Sequence, residues 1–236
     1  MSKLWRESDV RFSIGYANTS LQDVTPMTSS VAYSNFTGVA TIDRNNPTVA
    51  QSNHVIPERI TATLRYQPVT IEGGYRFKAS LFINRFQSRS YSYTYDGEEH
   101  GQTPAFTDQS LLYVPTNAAD PNVVFDGISP AAFFAITDAA GCPRGQYCPR
   151  NSIDGAWNTS IKLTLAQEFP GFAPDHEAEI YMVIKNLGNL VNSKYGIFRE
   201  PGFPSMQKVA RLSEIDDEGR YVYDRLYSPR GSSISP

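Results

Sequence analysis

"PERITATLRYQPVTIEGGYRFKASLFINRF", Pro57 to Phe86, carries the reading of the fold. Ile60, Ala62, Leu64 and Tyr66 alternate with Arg59, Thr61, Thr63 and Arg65. A short turn around Thr70 to Gly74 follows, and then Tyr75, Phe77, Ala79, Leu81 and Ile83 alternate with Arg76, Lys78, Ser80 and Asn84. A period of two is the spacing of a β-strand, whose successive side chains point to opposite sides. The stretch therefore predicts two strands joined by a short turn, each with one apolar and one polar face. Phe82 is the one break in the polar face.

The same rhythm continues on both sides. Asp9 to Ala17 sets Val10, Phe12, Ile14 and Tyr16 against Arg11, Ser13, Gly15 and Ala17. Ala156 to Gln167 sets Thr159, Ile161, Leu163 and Leu165 against Asn158, Ser160, Lys162 and Thr164, and Ala178 to Asn186 alternates less clearly. Gln207 to Ile215 and Arg220 to Tyr227 flank the turn-like "DDEG" (Asp216 to Gly219) and read as a hairpin. The strand begun at Tyr75 is expected to run on to Tyr95, where "SYSYTYDG" places Tyr91, Tyr93 and Tyr95 on one face. The fold class is all-β, an antiparallel meander of about seven strands.

The connections carry further information. Short turns join the second strand to the third and the fourth to the fifth, whereas about 40 residues separate the first two strands and about 60 separate the third and fourth. In a meander this puts every long loop at one end and every short turn at the other. Outer-membrane barrels are built that way, with an outward apolar band and a polar interior. Long unstructured loops are uncommon in compact domains and serve recognition where they occur. Arg59, Arg65, Arg76, Lys78 and Lys162 on the polar face also suit a wet lumen, because unpaired charges are costly in a dry core.

Composition removes other classes. The 236-residue chain carries a net charge of -3 and so has no basic field to draw in nucleic acid. No apolar run approaches the roughly 20 residues a membrane-spanning helix needs. "MSKLWRESDV" lacks the apolar core and cleavage site of a secretory signal. Yet Cys142 and Cys148, in "GCPRGQYCPR", have the spacing of a small disulfide formed in an oxidising compartment. Free thiols and a metal site are the weaker readings of that pair, since zinc would need two more ligands and His54, His100 and His176 are scattered.

"PMTSSVAYSNF" (Pro26 to Phe36), "SYSYTYDG", Cys148 to Gly171 and above all "IKNLGNLVNSKYG" (Ile184 to Gly196) resemble the C-terminal barrel of TonB-dependent outer-membrane receptors, in particular the Oar-like subgroup. The resemblance spans nearly the whole chain. It implies energised uptake of a scarce or large ligand through a plugged barrel of the 22-stranded type. It also implies outer-membrane lipid and an extracellular ligand as partners, with TonB engaged only through an N-terminal region that is not in this sequence. The chain is thus expected to be one partial barrel domain over residues 1–236, without plug, signal peptide or closing strand, which also reconciles the cysteines with the missing export signal.

Within that reading Tyr91, Tyr93, Tyr95 and Trp157 are expected to mark the membrane interface, where Tyr and Trp satisfy an apolar body and a polar tip. Ordinary cross-strand packing and a sugar-stacking face are the other readings of the ladder. Ligand contact is expected from the loops Gln22 to Asn53 and Asp96 to Ser152 and from lumen-facing Arg59, Arg65, Arg76 and Lys78, whose alternative role is a paired or solvated wall. No nucleophile elbow, phosphate loop or calcium loop is present, so no catalytic residue, metal or cofactor is expected and the chain does not read as an enzyme. A small self-contained outer-membrane barrel, as pore or adhesin, and a soluble β-sandwich that binds carbohydrate are the alternative functions.

Overall fold

A computed structural model describes residues 2–5, 9–24, 30–43, 45–97, 109–173, 175–227 and 233–234. The principal strands are β1 (Ser2–Trp5), β2 (Val10–Asn18), β3 (Glu58–Tyr66), β4 (Tyr75–Gln87), β5 (Ser92–Asp96), β6 (Val123–Phe125), β7 (Trp157–Pro170), β8 (Glu177–Ile184), β9 (Met206–Ile215) and β10 (Tyr221–Leu226). The longest helix among the described residues is α1 (Pro130–Ala139).

Strands β1, β2, β3, β4, β7 and β8 lie side by side in that order, each antiparallel to the next, with Val69–Ile71 as a short addition to β4. The alternation read from the sequence sets their register. Phe12, Leu64, Leu81, Leu163 and Ile184 fall in one row across five strands, and Ile14, Ala62, Ile83 and Ile161 in the next. Arg11, Arg65, Ser80, Thr164 and Val183 form a row on the opposite face. Short turns lie at one end of the sheet and long connections at the other, as the loop lengths predict. The all-β, largely antiparallel class is as expected, but among the described residues no sheet closes on itself, so the main sheet is open where a barrel was expected.

The other departure from the expected seven-strand meander lies at the loop end, where a compact lobe has its own core. The strand expected to run from Tyr75 to Tyr95 breaks at Ser88–Ser90. Here Ser88 N donates to Ala156 O at 2.9 Å, and Tyr91 and Ile153 exchange backbone bonds at 3.0 and 3.1 Å. Gly155 permits this approach, since a Cβ there would stand 2.3 Å from Ser88 Oγ and 2.4 Å from Arg89 O. The chain then enters a second, mixed sheet in which β5 runs parallel to β9, β9 antiparallel to β10, and β10 parallel to β6. The hairpin around "DDEG" thus forms as predicted but belongs to the lobe. Asp216 Oδ1 accepts from Glu218 N and Arg220 N at 3.1 and 2.8 Å, which fixes the turn.

Apolar burial explains why the hairpin leaves the main sheet. Val209, Ala210, Leu212 and Tyr223 pack on Tyr93, Tyr95, Leu112, Val114 and Phe133 in one cluster. Each large side chain so enclosed contributes roughly 1.5–3 kcal/mol. Helix α1 is aimed into this cluster by its start signals, Pro130 at its first position and Ser129 Oγ accepting from Ala132 N at 3.3 Å. Phe133 and Thr137, one turn apart, face inward, and the Phe133 ring stacks 5.6 Å from Tyr223. Cys142 and Cys148 are joined by a disulfide at 1.98 Å, with both residues in the core.

Asp120 organises the loop before β6. Its carboxylate, 5% exposed, accepts from Thr116 N and Oγ1 at 2.7 and 2.8 Å and from Asn122 N and Nδ2 at 2.9 and 3.0 Å. Burial alone would raise its pKa, but these four bonds outweigh it and hold the carboxyl below the usual carboxylate value. A depressed folded pKa gives stability that is present above the unfolded value and lost as pH falls through the folded one. Asp120→Ala is therefore expected to destabilise the lobe by about 1–3 kcal/mol at neutral pH and to flatten the acid limb of its stability curve. Urea unfolding followed by near-UV dichroism between pH 7 and 3 measures both; an unchanged acid limb would show that Asp120 is not the group responsible.

Candidate functional site

Two unlike surfaces and one loop lobe make up the candidate site. Among the described residues, no segment covers the apolar face of the main sheet. Leu64 is 44% exposed, Met182 52% and Ile180 70%. At its loop end this face changes character. Tyr16 donates from its hydroxyl to Glu58 Oε1 at 3.3 Å, and the Arg85 guanidinium lies 5.2 Å from the centre of the Trp157 ring. Tyr16, Ile60, Arg85 and Thr159 share one row. The apolar band thus ends in aromatic rings capped by charges, and Trp157 is part of that border. Tyr16 was counted in the sequence as one more apolar strand position; its place in the border follows from its row.

The tyrosine ladder is not part of this border. Tyr93 and Tyr95 are 5% and 0% exposed and belong to the lobe core, and Tyr91 is half-buried against it. The expected interface role is corrected for these rings, because protein encloses them. Tyr95 packs against Tyr221 and Tyr223 at 6.3 and 6.4 Å, and Tyr91 against Tyr93 at 5.9 Å. Burial pushes the Tyr91 and Tyr93 phenols above their ordinary value. Both are neutral hydrogen-bonding groups near neutral pH. Tyr91 also lines a cavity of about 380 Å³ with Ser88, Gly155, Glu200, Met206 and Gln207, where the strand ends meet the lobe. That size falls within the range of small-ligand pockets, roughly 300–1,000 Å³.

Arg59, Arg65, Arg76 and Lys78 all lie on the polar face, spread along its length. Lys78 ion-pairs with Glu168 and, at 2.7 Å, with Glu179. Arg76 Nη1 reaches Gln67 O at 2.9 Å and Asp9 Oδ1 at 3.7 Å, also at the turn end. Arg59 lies 5.7 Å from the Phe86 ring centre at the loop end, beside the lobe. The four cations therefore share a face without converging on one point, and the two at the turn end are paired. Among the described residues no group of His, Cys, Asp and Glu is placed to hold a metal ion.

The two long loops are fastened together. Arg150, 7% exposed, donates from Nη2 to Asp23 O at 2.7 Å, Asp23 Oδ1 at 3.3 Å and Thr48 O at 3.2 Å. Asn151 Nδ2 donates to Gln51 O at 2.7 Å, and Asn151 N donates to Ser92 Oγ at 2.9 Å. Nothing local in the sequence marks Arg150, whose partners lie about 100 residues away. Of the expected ligand loops, residues 25–29, 44 and 98–108, including His100, lie outside the described residues. Comparison with protein families, curated proteins and solved structures finds no match to this chain.

Removing Arg150 strands the Asp23 carboxylate and two carbonyls, and breaking a buried pair of this kind costs on the order of 3 kcal/mol. Arg150→Met is expected to free the 19–57 loop first, so that limited proteolysis cuts there while the lobe resists. Equal protection of that loop in the variant and the unaltered chain would show that the clamp is not what holds it.

Proposed function

We propose that this chain forms part of the barrel wall and extracellular loops of an outer-membrane receptor of the TonB-dependent kind, which takes up a ligand from outside the cell. The observation that carries the reading is the sheet with two opposite faces, one a continuous apolar band left uncovered and the other polar with paired charges. Strands β4 and β7, of 13 and 14 residues, exceed the roughly 9–11 needed to cross the hydrocarbon core, and β2 and β3 have 9 each. In lipid every backbone polar group must be satisfied within the protein, so this open sheet would be completed by further strands at the β1 and β8 edges.

Orientation follows from the loops. Short turns are the periplasmic side of such barrels and long loops the extracellular side, which puts the lobe outside the cell, where its disulfide is stable. The ligand would meet the lobe and the cavity beside Tyr91. A carbohydrate-binding sandwich has less support, because the second sheet closes a core of its own instead of covering the apolar band. Among the described residues no helix is long and apolar enough to cross a membrane, which has no bearing on a barrel.

Single cysteines at Ser80, Leu81, Phe82 and Ile83, carrying an environment-sensitive dye in lipid vesicles, test the bilayer part of the reading. Quenching by brominated acyl chains is expected at 81 and 83 and not at 80 and 82. Quenching without that alternation would sink it. The receptor part predicts a plug domain and TonB box encoded upstream in the same gene; a gene without them would leave a passive barrel.

A further inference from the structure

The strip beside the upper half of β7 is where the sheet would take its next strand. Strand β8 pairs with β7 only as far as Leu163 and Ile184, and beyond that row the chain turns away at Asn186 and returns as Ile197–Arg199. Asn158, 1% exposed, holds the returning segment as a neighbouring strand would. Its Oδ1 accepts from Arg199 N at 2.7 Å and its Nδ2 donates to Arg199 O at 3.0 Å. The excursion is tied at its base by Asn186 Nδ2 donating to Gly196 O at 3.2 Å. Gly196 has φ +71°, and a Cβ there would lie 1.7 Å from Asn186 Oδ1, so glycine is required. The Phe198 ring stacks on Phe86, on the polar face, at 6.1 Å. Alternation then turns Ile197 and Arg199 to the other side, that of the apolar band.

On that side a groove of about 410 Å³ opens between Trp157, Thr159 and Ile161 of β7 and the excursion. Its charge is one-sided. Lys194 and Arg199 are the charged residues lining it, and no acid joins them, although the chain as a whole has 24 acidic residues to 21 Lys and Arg. Among the described residues neither side chain has a hydrogen-bonding or ion-pairing partner. Trp157 and Tyr195 supply aromatic walls, and Ile161 continues the apolar row through Ile83, Ala62 and Ile14. The groove has a cationic mouth, aromatic sides and an apolar floor that runs into the band.

We propose that this groove seats the phosphate headgroup of an anionic membrane lipid, with an acyl chain lying down the band from Ile161. The proposal rests on the reading of that face as bilayer-facing. Guanidinium and ammonium groups suit phosphate oxygens, and aromatic residues gather at the depth of lipid headgroups. A soluble anion would use the two cations but gain nothing from Trp157 and Ile161, and the lack of any acid disfavours a zwitterionic headgroup.

The test uses the full chain carrying Trp5→Phe, which leaves Trp157 as its one tryptophan, reconstituted in phosphatidylcholine vesicles. Brominated phosphatidylglycerol should quench Trp157 more strongly than brominated phosphatidylcholine at equal mole fraction. Lys194→Ala and Arg199→Ala should each cut that preference about five-fold, Lys194→Arg should keep it, and inorganic phosphate should leave it unchanged. Equal quenching by the two lipids overturns the proposal while leaving the bilayer reading intact. So does a preference that survives both alanine substitutions, and competition by inorganic phosphate would reveal a soluble-anion site instead. Quenching by neither lipid removes the proposal together with the bilayer reading.

Discussion

The pairing of β4 with β7 is the constraint on which the rest depends. Trp157 to Gln167 match Gln87 to Phe77 residue for residue without a bulge. Because side chains alternate, a slip of one residue would carry Leu163 and Leu165 to the polar face and Lys162 and Thr164 to the apolar one. The same pairing places Trp157 at the loop end of the band, points Asn158 at Arg199, and brings Gly155 against Ser88 where the chain leaves for the lobe. Sheet, border and lobe junction share one register.

The molecule resolves its apolar surface in two ways. The lobe encloses its own, with tyrosines serving as core residues, and the Tyr223 hydroxyl donates to Tyr113 O at 3.0 Å. The main sheet leaves Leu64, Ile180 and Met182 on its apolar face open, 44%, 70% and 52% exposed. That contrast explains how one tyrosine-rich composition serves both parts: Tyr16 has a half-open setting with a charged cap, while Tyr95 has a closed one.

Much of the main sheet was legible in the sequence because its signal is local. Each of β2, β3, β4 and β7 shows its two faces within its own nine to fourteen residues. The tyrosine ladder shows the limit of that signal. A period of two puts Tyr91, Tyr93 and Tyr95 on one face but says nothing of what covers it, and the rings packed on Tyr95, those of Tyr221 and Tyr223, lie more than a hundred positions later. The same distance hid the parallel pairing of Ser92–Asp96 with Met206–Ile215 and the clamp of Arg150 on Asp23. Lys194 and Arg199 gave no pattern at all. They are five residues apart in an irregular stretch and share a groove only because Asn158 draws the chain back to the sheet.

The lobe core is assembled from segments on both sides of the β7–β8 hairpin: Tyr91 to Asp96, Leu111 to Ile153, and Met206 to Leu226. Such a core has an order of assembly built into its topology. Contacts between residues so far apart form late, after the entropy of closing the intervening chain has been met. Residues 206–226 follow β7 and β8 in the chain, so the lobe closes only after both have been synthesised, and once closed it grips the chain before and after that hairpin. It acts as a latch that keeps these two neighbouring strands from being drawn out singly.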